Sequence, residues 1–404
     1  MVLDPKKHAD WEIAQDAETR MKTVQQLGRD MGLLDKELLP YGHVMGKVDY
    51  RAVLERLGDK PNGKYVDVTA ITPTPLGEGK STTTIGLVQG LGRRNKRASA
   101  AIRQPSGGPT MGVKGSAAGG GLSQCIPLTQ YSLGFTGDIN AVMNAHNLAM
   151  VALTSRMQHE RNYNDEKLLK LSGMPRLNID PTNVNMGWVM DFCCQSLRNI
   201  IIGIGGRLDG YMMESKFGIA VGSELMAILA VARDLKDLRE RIGKIVVAYS
   251  KSGDPVTCED LEVAGAMTAW MRNTINPTMC YTVEHQPVLV HAGPFANIAH
   301  GCNSVMATAA ALEYGDYAIT EAGFGADLGA EKFYNIKCRK TDLQPDLTVL
   351  VVTLQALKMH GGVSLEDIKK PNVAGMEAGY WNLDKHVKNL QSFGQTVVIA
   401  FNKF

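Results

Sequence analysis

The chain has 404 residues, enough for about two to four domains of ordinary size or one large domain with insertions. Hydrophobic residues make up 44% and charged residues 21%, which excludes wholesale disorder. The balance of 43 basic against 41 acidic side chains, formally +2, gives no electrostatic reason to expect a nucleic-acid partner.

The N-terminus, Met1 to Glu12, is charged and lacks the apolar stretch of a secretory signal. No window offers the roughly 18 consecutive apolar residues of a membrane helix, so no membrane partner is expected. Seven cysteines form no C-x-x-C pair, and an odd number makes no disulfide framework. They read as reduced and mostly buried, and the expected compartment is cytoplasmic.

Residues 1–63 read as an N-terminal helical segment. Between Asp10 and Leu34, apolar Ile13, Ala14, Met21, Val24, Leu27 and Met31 recur at mixed three- and four-residue spacings, which predicts one amphipathic helix or two. Pro61-Asn62-Gly63 then marks a turn. Tyr65 to Ile71 is apolar and β-branched, a buried strand, and Lys80 to Arg94 reads as a helix. Arg97 to Ile102 is a second strand. Residues 156–181 are polar and read as a surface insertion.

Further strand-like runs are Lys244 to Tyr249, Pro287 to His291, Tyr317 to Thr320, Leu347 to Thr353 and Thr396 to Phe401. Helix-like stretches lie between them: Ala220 to Arg241, Cys258 to Arg272, Asn303 to Tyr314 and Trp381 to Ser392. Strands alternating with helices predict an α/β fold, P-loop NTPase-like, with a mostly parallel sheet flanked by helices and an additional α/β domain. The division expected is 64–240 for a P-loop nucleotide-binding domain and 241–404 for a second α/β region. The chain stops directly after an apolar strand, which predicts either a truncated C-terminal end or a terminus tied into the sheet.

Thr74-Pro75-Leu76-Gly77-Glu78-Gly79-Lys80-Ser81 stands between a strand and a helix, the context a phosphate-binding loop needs. Glycines let backbone N–H groups turn inward around phosphate oxygens, a lysine reaches the β/γ-phosphates, and a hydroxyl ligates Mg²⁺. The helix that follows adds the positive end of its dipole. Thr74 stands where the usual pattern has its first glycine.

A second glycine-rich segment contains Gly107, Gly108, Gly112, Gly115, Gly119, Gly120 and Gly121. Arg103, at the end of the strand before it, lies at the edge where open α/β sheets bind ligands. A guanidinium there suits a second anion; an ordinary salt bridge is the alternative. Phe135-Thr136-Gly137-Asp138 suits a turn, a helix cap or a loop carboxylate. His291, His300 and His360 flank glycine-containing turns, with no spacing that suggests zinc. Glu321 to Glu331 follows another strand and again points to the ligand edge.

Together the 72–80 loop, Gly112 to Gly121, Phe135 to Asp138, Gly293 to Ser304, Glu321 to Phe333 and Ala356 to Gly362 resemble the formate–tetrahydrofolate ligase family over nearly the whole chain from about residue 10. This sequence departs from the family's usual pattern at Ser116, Leu122 and Gln355. The resemblance implies ATP-dependent ligation of formate to tetrahydrofolate through formyl phosphate. It implies Lys80 and the loop Thr74 to Ser81 on the nucleotide, Ser81 on the metal ion of MgATP, and Arg103 on formate. Asp138 would orient or deprotonate the folate amine, and Phe404 would form an aromatic wall for the pterin. A potassium or ammonium ion and a homo-oligomer are further expectations. A nucleotide-switch ATPase of the partitioning type, or a non-catalytic part of a split ligase, are the alternatives.

Overall fold

The computed structural model describes residues 3–60, 62–107 and 117–402. The chain forms two compact units, one from Met1–Pro105, Gly112–Thr136 and Asn276–Phe404, the other from Ser106–Met111 and Gly137–Ile275.

In chain order the first unit opens with strands β1 (Leu38–Tyr41), β2 (Met45–Val48), β3 (Lys64–Ala70), β4 (Ala98–Ile102), β5 (Gly119–Gly120) and β6 (Ser123–Ile126). The second unit holds β7 (Ile179–Val184), β8 (Trp188–Met190), β9 (Ile200–Ile202), β10 (Met213–Ser215), β11 (Phe217–Ile219), β12 (Val246–Ser250) and β13 (Pro255–Thr257). The chain returns to the first unit with β14 (Thr278–Thr282), β15 (Pro287–Val290), β16 (Tyr317–Glu321), β17 (Leu347–Thr353) and β18 (Val397–Asn402).

The first unit is built on one large sheet, ordered β1-β2-β14-β15-β4-β16-β3-β17-β18. The run from β15 to β18 is parallel throughout, while β1, β2 and β14 pair antiparallel. Helices on both faces explain why β3, β4 and β17 are buried almost end to end and read as continuous apolar runs rather than alternating ones. Val66, Val68, Ala100, Ile102, Ile319, Val349 and Val351 form part of a core shared with Ile85 and Val88 of the helix Lys80–Arg93.

This parallel arrangement gathers the carboxyl ends of six strands along one edge. From it come the phosphate loop after β3, Arg103 after β4, His291 after β15, Glu321 closing β16, Thr353 closing β17 and Asn402 closing β18.

Several sequence expectations need correction. The segment 1–63 is not helical throughout: Leu38 to Val48 is a hairpin whose second strand joins β14. The run Lys244 to Tyr249 does form a strand, but within the second unit, in the antiparallel sheet β13-β12-β7. The helix expected over Ala220 to Arg241 is two, Glu224–Val231 and Leu235–Gly243, the second capped by Asp234. The polar stretch 156–181 contains the end of a 25-residue helix, Asp138–Asn162, and the helix Asp165–Ser172. Among the described residues, no helix is long and apolar enough to cross a membrane.

Candidate active site

The phosphate loop leaves β3 and ends where the helix Lys80–Arg93 begins. Gly77 and Gly79 adopt φ of 80° and 74°, a left-handed conformation that a side chain resists, and Gly79 caps the helix. Between them Glu78 is buried and faces inward. Its Oε1 accepts the Thr74 N–H at 2.9 Å, and its Oε2 accepts the Thr353 hydroxyl at 2.8 Å. Asn402 Nδ2 donates to the Glu78 carbonyl at 3.1 Å. The loop is thereby pinned to the ends of β17 and β18. Pro75, Leu76 and Gly77 at its crest are exposed.

Lys80 and Ser81 open the helix and are half-buried. Desolvation lowers the Lys80 pKa, the carboxylates of Glu321 and Glu78 oppose that shift, and the Arg103 guanidinium adds to it. The Ser81 hydroxyl donates to Glu321 Oε2 at 2.7 Å. A helix N-terminus, an ammonium and a hydroxyl–carboxylate pair thus meet at one place. The first two suit a polyphosphate, and the oxygen pair suits a hard divalent cation.

Arg103 follows β4, which lies beside β16 in the sheet. Its Nη1 donates to the Pro294 carbonyl at 3.3 Å, and its own carbonyl accepts from Tyr131 at 3.5 Å. Its Nε is buried with no hydrogen-bond partner among the described residues. No ion pair to Arg103 occurs among them either, so donors remain for an anion. Gly323 leaves the guanidinium its room: a Cβ there would stand 2.6 Å from Nη2.

The structure therefore brings together Lys80, Ser81 and Arg103. Asp138 belongs to the second unit, buried in the first turn of the helix Asp138–Asn162 behind the left-handed Gly137. Phe404 lies outside the described residues, as do Gly108, Gly112 and Gly115 of the second glycine segment. His291 Nδ1 pairs with Ser304 Oγ at 2.7 Å, a buried hydrogen bond. Sequence reading missed the bracing of the loop by Thr353 and Asn402. The one signal available was a carboxylate between the loop's two glycines, which has no phosphate role and so must face the protein.

A family model described as formate–tetrahydrofolate ligase matches residues 8–404. The chain is 65% identical over 415 aligned positions to the formate–tetrahydrofolate ligase of Desulforapulum autotrophicum, covering all of this chain and 70% of that protein. The ligases of Lawsonia intracellularis and Desulfovibrio desulfuricans match at 65% and 62%, with the same coverage. A phosphate loop joined to an anion-ready arginine, matched from residue 8 to residue 404, places this chain in the formate–tetrahydrofolate ligase family.

Proposed function

We propose that this chain ligates formate to tetrahydrofolate at the expense of ATP, giving 10-formyltetrahydrofolate, ADP and phosphate, in one-carbon metabolism. The observation that carries the reading is the convergence of Lys80, Ser81, Arg103 and Glu321 at the ends of the adjacent parallel strands β3, β4 and β16.

Formate is a poor acylating agent because its leaving group would be hydroxide or oxide. A formate oxygen attacks the γ-phosphorus, the bond to the bridging oxygen breaks, and ADP departs, leaving formyl phosphate. A tetrahydrofolate amine then attacks the formyl carbon, loses its proton, and phosphate leaves. Phosphoryl transfer asks for positioning and charge neutralisation more than for covalent chemistry. Lys80 and the amides at the start of its helix neutralise the transferring group. Arg103 holds formate and then the acyl phosphate through paired N–H donors.

Ser81 and Glu321 are the oxygens available to the magnesium ion of MgATP, which supplies charge at the β- and γ-phosphates. Asp138 orients or deprotonates the folate amine, and Phe404 walls the pterin. A cytoplasmic, homo-oligomeric enzyme assisted by a monovalent cation completes the reading, and the seven free cysteines suit a reducing compartment.

The test is ADP release from MgATP with formate and tetrahydrofolate added singly and together. Release that requires both supports the ligase. Steady release with neither would favour a nucleotide switch, a reading to which the comparisons lend no support.

A further inference from the structure

Thr72 is the second residue after β3 and the point where the backbone turns away from the sheet toward the phosphate loop. The preceding Ile71 is still tied to the sheet, its N–H donating to the Val351 carbonyl at 3.2 Å. Every polar atom of Thr72 is engaged by side chains almost 300 residues or more away. Its N–H donates to Asn382 Oδ1 at 3.3 Å, and Asn382 Nδ2 returns a hydrogen bond to Thr72 Oγ1 at 3.0 Å. His386 Nε2 lies 2.9 Å from the same hydroxyl, and His360 Nε2 lies 2.8 Å from the Thr72 carbonyl.

One proton position follows. A carbonyl only accepts, so His360 carries its proton on Nε2. The Thr72 hydroxyl has two acceptor sites, so it can take the Asn382 proton and still either donate to His386 Nε2 or accept from it, according to which ring nitrogen of His386 carries the proton. Burial keeps His386 neutral by lowering its pKa; Asp327, 4.0 Å away, opposes this and His360 reinforces it.

The three side chains come from the helices Leu354–His360 and Val373–Ser392. These helices meet backbone to backbone: a Cβ on Gly379 would collide with the Leu357 carbonyl, and one on Gly361 with that of Gly375. They form a firm support. Asn382 and His386 are 4% and 3% exposed, a costly place for polar groups unless the bonds they make are kept.

We propose that Asn382, His386 and His360 are positioning residues of the ligase: by fixing Thr72 they set the direction in which the chain leaves β3, and so where Lys80 meets the γ-phosphate. This rests on the functional reading above. Displacement of a reacting group by about 1 Å costs on the order of a hundredfold in rate.

The experiment compares Thr72→Val, which keeps the shape and loses the hydroxyl, with Thr72→Ser, which keeps the hydroxyl. Turnover is measured with all three substrates, and backbone hydrogen exchange of residues 72–80 is followed in the free protein. The expected result is a kcat about tenfold or more lower in T72V, with KM for MgATP changed less and faster exchange in the loop. T72S should lie within a few-fold of wild type in each. Should T72V fold poorly, His386→Gln carries the same expectation in kcat and exchange with Thr72 intact. Unchanged loop exchange in the folded variant, or T72S impaired as much as T72V, would overturn the proposal. If wild type itself releases no ADP, the ligase reading fails, while the exchange measurement still decides the clamp.

Discussion

The Ser81 hydroxyl donates to the Glu321 carboxylate at 2.7 Å across 240 residues of sequence. The pair exists because β3 and β16 are adjacent and parallel, so the helix that follows one strand starts beside the last residue of the other. In phosphate-loop enzymes a hydroxyl and a carboxylate so placed share the metal ion of the bound nucleotide.

Glu321→Gln should therefore raise the magnesium concentration needed for half-maximal turnover by about tenfold, since an amide oxygen lacks the charge that attracts a hard cation. Titrating magnesium at fixed ATP measures this. An unchanged magnesium requirement would remove Glu321 from the metal's surroundings.

Lys80→Ala should abolish formate-dependent ADP release, because the transferring phosphoryl loses its ammonium; about 2.7–4 kcal/mol is typical for removing one such donor. Lys80→Arg should also fail, since a planar fork does not fit a compact phosphate cradle. Retention of more than about a tenth of the wild-type rate in K80A, against that expected loss, would sink the assignment.

How far this site was legible in sequence depends on the range of the interaction. Lys80 and Ser81 were readable because loop, strand and helix are contiguous. Arg103 was placed by a rule about strand ends. The bracing of Glu78 by Thr353 and of Thr72 by Asn382 was not readable, because it depends on β17 lying beside β3 and on two helices packing at glycines. The hairpin Leu38 to Val48 escaped for a related reason: its second strand is fully buried through pairing with β14, far off in sequence, so no alternation appears. The helix Asp138–Asn162 was obscured by polar residues around its far turns.

Arg103→Ala should lose ligase turnover while MgATP affinity stays within a few-fold of wild type, because the triphosphate is held mainly by loop amides and Lys80. Arg103→Lys should rescue poorly, a point charge being unable to reproduce paired donation. Gly323→Ala offers a second route to the same defect, since the added methyl occupies the guanidinium's space. Calorimetry of MgATP binding beside formate-dependent ADP release separates the outcomes. Equal loss of both in R103A would make Arg103 a nucleotide or folding residue.

Asp67 sits in the middle of β3, fully buried, with Oδ1 accepting from Thr320 at 3.2 Å and Oδ2 without a hydrogen-bond partner among the described residues. Burial raises its pKa from the ordinary 3.8 to about 7, against the pull of Thr320 and Lys337 and with a further push from Glu321. A raised carboxyl pKa means that, between these two values, the folded chain keeps a proton that the unfolded chain has lost. Folding stability from this group is therefore fully present below the unfolded value and falls as pH rises, with the whole penalty felt above about 7. A rise of that size corresponds to about 4 kcal/mol at most. Asp67→Asn is neutral at every pH, so its thermal midpoint should gain on wild type as pH goes from 5 to 8 and level off beyond. His146 and His386, whose burial lowers their pKa values, weaken both proteins alike in acid and drop out of the difference. Thermal melts of the two proteins at pH 5, 6, 7 and 8 measure it. A difference that stays flat, or narrows toward alkaline pH, would mean that Asp67 is ionised in the folded protein and that Lys337 holds its charge.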